Sequence, residues 1–158
     1  MAVKTGRVQD RRELHFEKIE DILSDVEKLN QGKFKTLGNW SGGQILKHLT
    51  IVMNDSIDGP RVKFGLPLRL LGRMLKNRTL RTPMRPGLQL PRRAAEKLVP
   101  PPVAWEEAIG PFRQVIHRLL TEPKREPHAF FGPLTYDEWT QLHCRHSAMH
   151  LSFLVPET

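Results

Sequence analysis

The sequence predicts an all-α fold, a four-helix bundle with a long Pro-rich basic crossover between its second and third helices. Three observations carry this expectation. Four segments repeat apolar residues at alternating steps of three and four, the spacing that lines one side of a helix. No stretch sustains the apolar–polar alternation of a half-buried strand, and no Asn-Gly or Asp-Gly turn joins two β-branched runs. The chain has 158 residues, of which 39% are apolar and 27% charged, so it can bury one core of ordinary size. A single bundle domain is expected over residues 12–158, preceded by a flexible segment, 1–11.

The first helix is expected over residues 16–30, with Phe16, Ile19, Leu23, Val26 and Leu29 on one face and Gly32 as its stop. The second starts at Ser41, where S-G-G-Q reads as a capping box and Trp40 with Ile45 as its hydrophobic staple. Its inward stripe is Ile45, His48, Leu49, Val52 and Ser56, and Gly59-Pro60 ends it. The third covers residues 105–120, with Trp105, Ile109, Phe112, Ile116 and Leu119 inward and a kink or preceding turn expected at Gly110-Pro111. The fourth begins at Thr135 with a second box, T-Y-D-E, stapled by Leu134 and Trp139. Trp139, Leu142, His143, His146, His150 and Phe153 form its stripe.

Charge is concentrated in the crossover. Residues 60–100 hold eleven basic residues and one acid, whereas the rest of the chain holds fourteen basic and sixteen acidic ones, so the formal excess of +8 lies in this segment. Within it, residues 67–76 are expected to form a short basic amphipathic helix with Leu68, Leu71, Met74 and Leu75 inward and Arg69, Arg73 and Lys76 outward. Such a piece could contact phosphates or an anionic membrane surface. Against nucleic acid stands the lack of aromatic residues for base stacking, Phe64 being the only one between 60 and 100. Apolar runs are too short to span a bilayer and no secretory signal is visible, so the expected location is the cytoplasm. Cys144 is the only cysteine, which excludes an intramolecular disulfide framework and a Cys-rich zinc module. Its helical angle turns it about 100° from the histidine face, so it reads as a packed structural thiol.

The histidines carry the chemistry. His146 and His150 are four residues apart, which places both on one helical face within reach of a single ion. His48 occupies an inward position of another helix, where apolar residues are the rule. A lone inward histidine is ordinarily a hydrogen-bonded core residue, but three on two facing helices suit a divalent metal with an open position, and favour zinc, nickel, iron or copper over magnesium or calcium. His143 is a second candidate ligand or a supporting group, and Asp55 an orienting carboxylate or base, with a solvated helix end as the simpler reading of Asp55. His15, His117 and His128 receive no role. Neither a phosphate-binding Gly-rich loop nor a G-x-S-x-G elbow occurs.

The runs G-N-W-S-G-G-Q-I-L-K-H-L, F-F-G-P-L-T-Y-D-E-W and L-H-C-R-H-S-A-M-H-L-S-F-L resemble the DinB/YfiT-like superfamily of metal-dependent enzymes, in a branch catalogued as a domain of unknown function. The resemblance covers residues 12–154. It implies a four-helix bundle and a divalent metal, zinc or nickel, on His48, His146 and His150. It also implies a small-molecule substrate, anionic if the crossover faces the cavity, with a low-molecular-weight thiol such as bacillithiol, mycothiol or glutathione as co-substrate. Thiol S-transfer and hydrolysis are the reactions in view, and a homodimer is compatible. One departure is that His150 is followed by Leu151, Ser152 and Phe153, where the better-known branch has Arg-Gly-Gln. The competing class is a non-catalytic basic adaptor, binding nucleic acid or an anionic membrane, whose histidines only stabilise the bundle.

Overall fold

A computed structural model describes residues 2–157. The described residues are mostly helical, with six α-helices and one small two-stranded sheet. In order these are α1 (Ile19–Asn30), β1 (Phe34–Thr36), α2 (Gly42–Asp58), α3 (Leu66–Arg81), α4 (Arg92–Leu98), α5 (Trp105–Thr121), α6 (Tyr136–Leu151) and β2 (Leu154–Pro156).

The principal core draws on α1, α2, α5 and α6. Ile22 and Val26 of α1, Leu46, Leu49 and Met53 of α2, Phe112, Ile116 and Leu119 of α5, and Leu151 of α6 are fully buried. Each side chain of this size stabilises the fold by about 2 kcal/mol relative to an exposed position. A smaller cluster of Leu80, Phe131, Trp139 and Leu142 joins α3 to α6 and the turn before it.

Local side-chain caps fix three helix starts. Thr135 Oγ1 accepts from Glu138 N (3.1 Å) while Glu138 Oε2 accepts from Thr135 N (2.9 Å), so the second capping box closes reciprocally. The first closes only halfway. Ser41 Oγ accepts from Gln44 N (3.1 Å), but the Gln44 amide turns away and donates to the Pro100 carbonyl (2.7 Å), tying α2 to the end of the crossover. At α1, Asp21 Oδ2 takes the N–H groups of Glu17 and Lys18, which starts the helix at Ile19 and leaves Phe16 buried outside it. Despite Gly110-Pro111, α5 is one continuous helix. Pro111 lies on the exposed side, where water can serve the Glu107 carbonyl that the missing N–H leaves free.

The sheet lies outside the sequence expectation. Phe34 pairs with Pro156, Lys35 with Val155 and Thr36 with Leu154, antiparallel. Three residues per strand are too few for a period of two to be visible. The residues before α1 also make specific contacts with the body. Val3 and Asn39 exchange two hydrogen bonds, and Arg12 forms a bidentate ion pair with Asp25 and donates to the Leu151 carbonyl.

The helix foreseen at residues 67–76 exists and is longer; Arg69 and Arg73 point outward as expected, but the expected inward apolar side is exposed and Lys76 turns inward. Leu68, Leu71, Met74 and Leu75 are exposed, and Gly72, Lys76 and Leu80 face the body. Gly72 decides the rotation. A Cβ there would overlap the Phe130 carbonyl, so only glycine lets α3 approach that strongly. With this contact set, Lys76 Nζ reaches Glu138 (2.8 Å) and Leu80 joins the smaller cluster, which turns the leucines outward. Among the described residues no helix is long and apolar enough to cross a membrane.

Candidate metal centre

Two helices bring three imidazoles together. His48, one and a half turns into α2, faces His146 and His150 on the last two turns of α6, and one ring nitrogen from each lies within 4.8 Å of the others. His146 Nε2 is 3.3 Å from His48 Nε2 and 3.1 Å from His150 Nε2. His48 is buried, whereas His146 and His150 keep part of their surface accessible.

The surroundings determine which nitrogen of His48 is free. Its Nδ1 lies 2.7 Å from the Leu98 carbonyl, which can only accept, so Nδ1 carries the proton and Nε2 presents a lone pair to the cluster. Trp40, placed at the staple position before α2, stacks on His150 with planes 10° apart and meets His48 edge-on. The two neighbours therefore hold ring orientation and tautomer together.

Protons alone satisfy this cluster poorly. If His146 Nε2 carries a hydrogen, that single hydrogen must be shared between the lone pairs of His48 and His150. If His150 Nε2 donates instead, the lone pairs of His146 and His48 face each other at 3.3 Å. A cationic imidazolium is opposed as well. Burial and then the neighbouring imidazoles hold His146 well below the usual histidine range, burial and His48 do the same for His150, and burial lowers His48 despite the opposing Leu98 bond. Three neutral nitrogen donors with surplus lone pairs fit a transition-metal ion, the donor chemistry preferred by zinc and nickel.

The other expected candidates lie elsewhere. His143 Nε2 is 3.1 Å from Ser56 Oγ and its ring stacks on Trp139, so it is a hydrogen-bonded core residue outside the cluster. Asp55 pairs with Arg61 (2.7 Å) near the end of α2, so it is neither part of the cluster nor freely solvated. Cys144 is buried in the principal core, where desolvation pushes its thiol up to about 12, a packed and unreactive state. The sequence reading missed the Leu98 carbonyl, a backbone group with no sequence signal, and saw Trp40 only as a staple.

His143 gives the protein a testable acid sensitivity. Burial foremost, and then Arg125 and His128, lower its folded-state pKa to about 3 from 6.5. Above pH 6.5 the imidazole is neutral in both folded and unfolded chains. Below that value the unfolded chain takes up a proton that the folded one refuses, so stability falls as pH decreases towards 3, by on the order of 1 kcal/mol per pH unit. Urea unfolding midpoints should therefore drop between pH 7 and 5, and less steeply in His143→Gln. An equal slope in the variant would contradict this origin.

Fold and cluster together define a mostly helical protein with a three-histidine centre. The chain belongs to the family described as "Protein of unknown function (DUF1569)", which it matches over residues 8–157, a span containing all three histidines. No curated protein and no solved structure gives a significant match.

Proposed function

We propose that this is a DinB-like metal-binding protein in which α1, α2, α5 and α6 act as a four-helix bundle and His48, His146 and His150 hold a divalent zinc or nickel ion. The observation that carries the reading is the convergence of three Nε2 atoms whose lone pairs outnumber the protons able to bridge them. Such an ion supplies Lewis acidity, which lowers the pKa of a water or thiol brought to it.

The chain's own groups have definite parts in this reading. The Leu98 carbonyl keeps the His48 proton on Nδ1, and Trp40 restricts the His150 ring. His146 and His150 are half-buried rather than fully enclosed, which supports approach by a small molecule. The basic α4 packs against α2 and ends at Leu98, whose carbonyl meets His48, and cations on this segment would favour an anionic substrate. S-transfer from a low-molecular-weight thiol and hydrolysis are the two reactions this chemistry serves.

Metal analysis of protein purified without a histidine tag tests the first part. Near-stoichiometric zinc or nickel is expected, and a chain that stays metal-free after supplementation would refute it. Incubation of loaded protein with bacillithiol, mycothiol or glutathione and an electrophile tests the second. Metal-dependent thioether formation supports S-transfer, whereas loss of electrophile without thiol consumption supports hydrolysis.

A further inference from the structure

We propose that the outer face of α3 docks onto an anionic lipid bilayer, with the helix lying in the plane of the interface. This inference stands apart from the metal centre. Leu66, Leu70 and Met74 are 65%, 51% and 81% exposed, and Leu68, Leu71 and Leu75 are exposed beside them. At 100° per residue these six side chains fill a sector of about 200°. A lone exposed leucine is ordinary on a soluble protein, but a continuous apolar face over the first ten residues of α3 marks an interaction site.

Charge identifies the occupant. The helix contains Arg69, Arg73, Lys76, Arg78 and Arg81 and no acid. Lys76 is engaged by Glu138, and among the described residues none of the four arginines forms an ion pair. Arg73 borders one edge of the apolar sector, Arg69 lies farther round towards the side of Lys76 and Leu80, and Arg78 and Arg81 lie at the C-terminal end of the sector. A second copy packed α3 against α3 would set these cations against one another. Nucleic acid would match the charge but leave the leucines in water, with no aromatic ring on the helix to stack on a base. An anionic bilayer takes both, the apolar side chains entering the acyl boundary and the arginines meeting headgroups. Gly72, Lys76 and Leu80 anchor the opposite side of the helix to the body, so this face is presented without unfolding.

Sedimentation with vesicles provides the test. The full chain should bind phosphatidylcholine vesicles containing phosphatidylserine, bind pure phosphatidylcholine far more weakly, and be released by high salt. Each of Arg78→Gln and Arg81→Gln should weaken binding by about fivefold. Met74→Glu should weaken it by at least about tenfold, and Leu70→Glu similarly. All these positions are exposed, and unchanged circular dichroism and thermal unfolding establish that each variant is folded. Absence of binding to the anionic vesicles, or binding indifferent to Met74→Glu, overturns the proposal. So does a concentration-dependent dimer abolished by Met74→Glu, which would assign the face to a second copy. Retention on duplex DNA that the arginine variants lose and Met74→Glu keeps, without vesicle binding, would likewise overturn it.

Discussion

His146→Ala is expected to weaken zinc or nickel binding by well over about a hundredfold, since loss of a supporting group outside the ligand set already costs about ten- to a hundredfold. The choice of residue follows from the geometry. His146 Nε2 lies within hydrogen-bond distance of both other Nε2 atoms, while the His48 and His150 rings also touch directly, with centroids 4.6 Å apart. The readout is thermal unfolding with and without metal. Free zinc at about a hundred times its dissociation constant stabilises the folded wild type by about 3 kcal/mol, which for a chain of this size raises the midpoint by about 5–10 °C. Chelation should reverse the shift, and His146→Ala should show none. If the three histidines serve only as core hydrogen-bonding groups, zinc leaves wild type and variant equally unmoved while the variant is less stable in both conditions.

Gly43→Ala is the second large expected effect, about 3 kcal/mol or more of lost stability and a fall of roughly 10 °C in the unfolding midpoint. A Cβ at Gly43 would overlap the Val103 carbonyl oxygen and lie 2.6 Å from backbone atoms of Ala104. Backbone on both sides leaves no flexible side chain to move aside. At Gly42, by contrast, the nearest atoms belong to the Phe34 and Trp105 rings, which can shift, so Gly42→Ala should cost less. Denaturant midpoints should rank wild type highest, then Gly42→Ala, with Gly43→Ala lowest. A Gly43→Ala protein as stable as wild type would show that α2 and residues 103–104 do not pack this closely.

Much of the helical content could be read from side-chain spacing, because α1, α2, α5 and α6 each bury one face against the same core. The Thr135 box is complete within four residues, so local sequence suffices to place the start of α6. Gln44 shows the limit of that logic. The same short pattern precedes α2, but a carbonyl 56 residues away competes for the side chain and wins. The orientation of α3 was illegible for a related reason. Hydrophobicity argues that leucines face inward, whereas the close approach of Gly72 to Phe130, a tertiary contact, sets the rotation. Within the candidate site, the i, i+4 pair His146 and His150 is a local signal and His48 a break in an apolar stripe, so all three were visible. Leu98 acts through its carbonyl, and no side-chain pattern encodes a backbone acceptor's destination.

The bond between His48 Nδ1 and the Leu98 carbonyl joins residues 50 positions apart in the chain. It makes docking of the crossover's last turn and selection of one tautomer a single linked equilibrium. When Leu98 is in place, Nε2 of His48 is committed as an acceptor, and when it departs the ring is free to move its proton to that atom. Any ligand that requires the Nε2 lone pair must then favour the docked crossover by the same factor by which docking favours the ligand. The central segment and the histidine cluster thus exchange free energy through one proton.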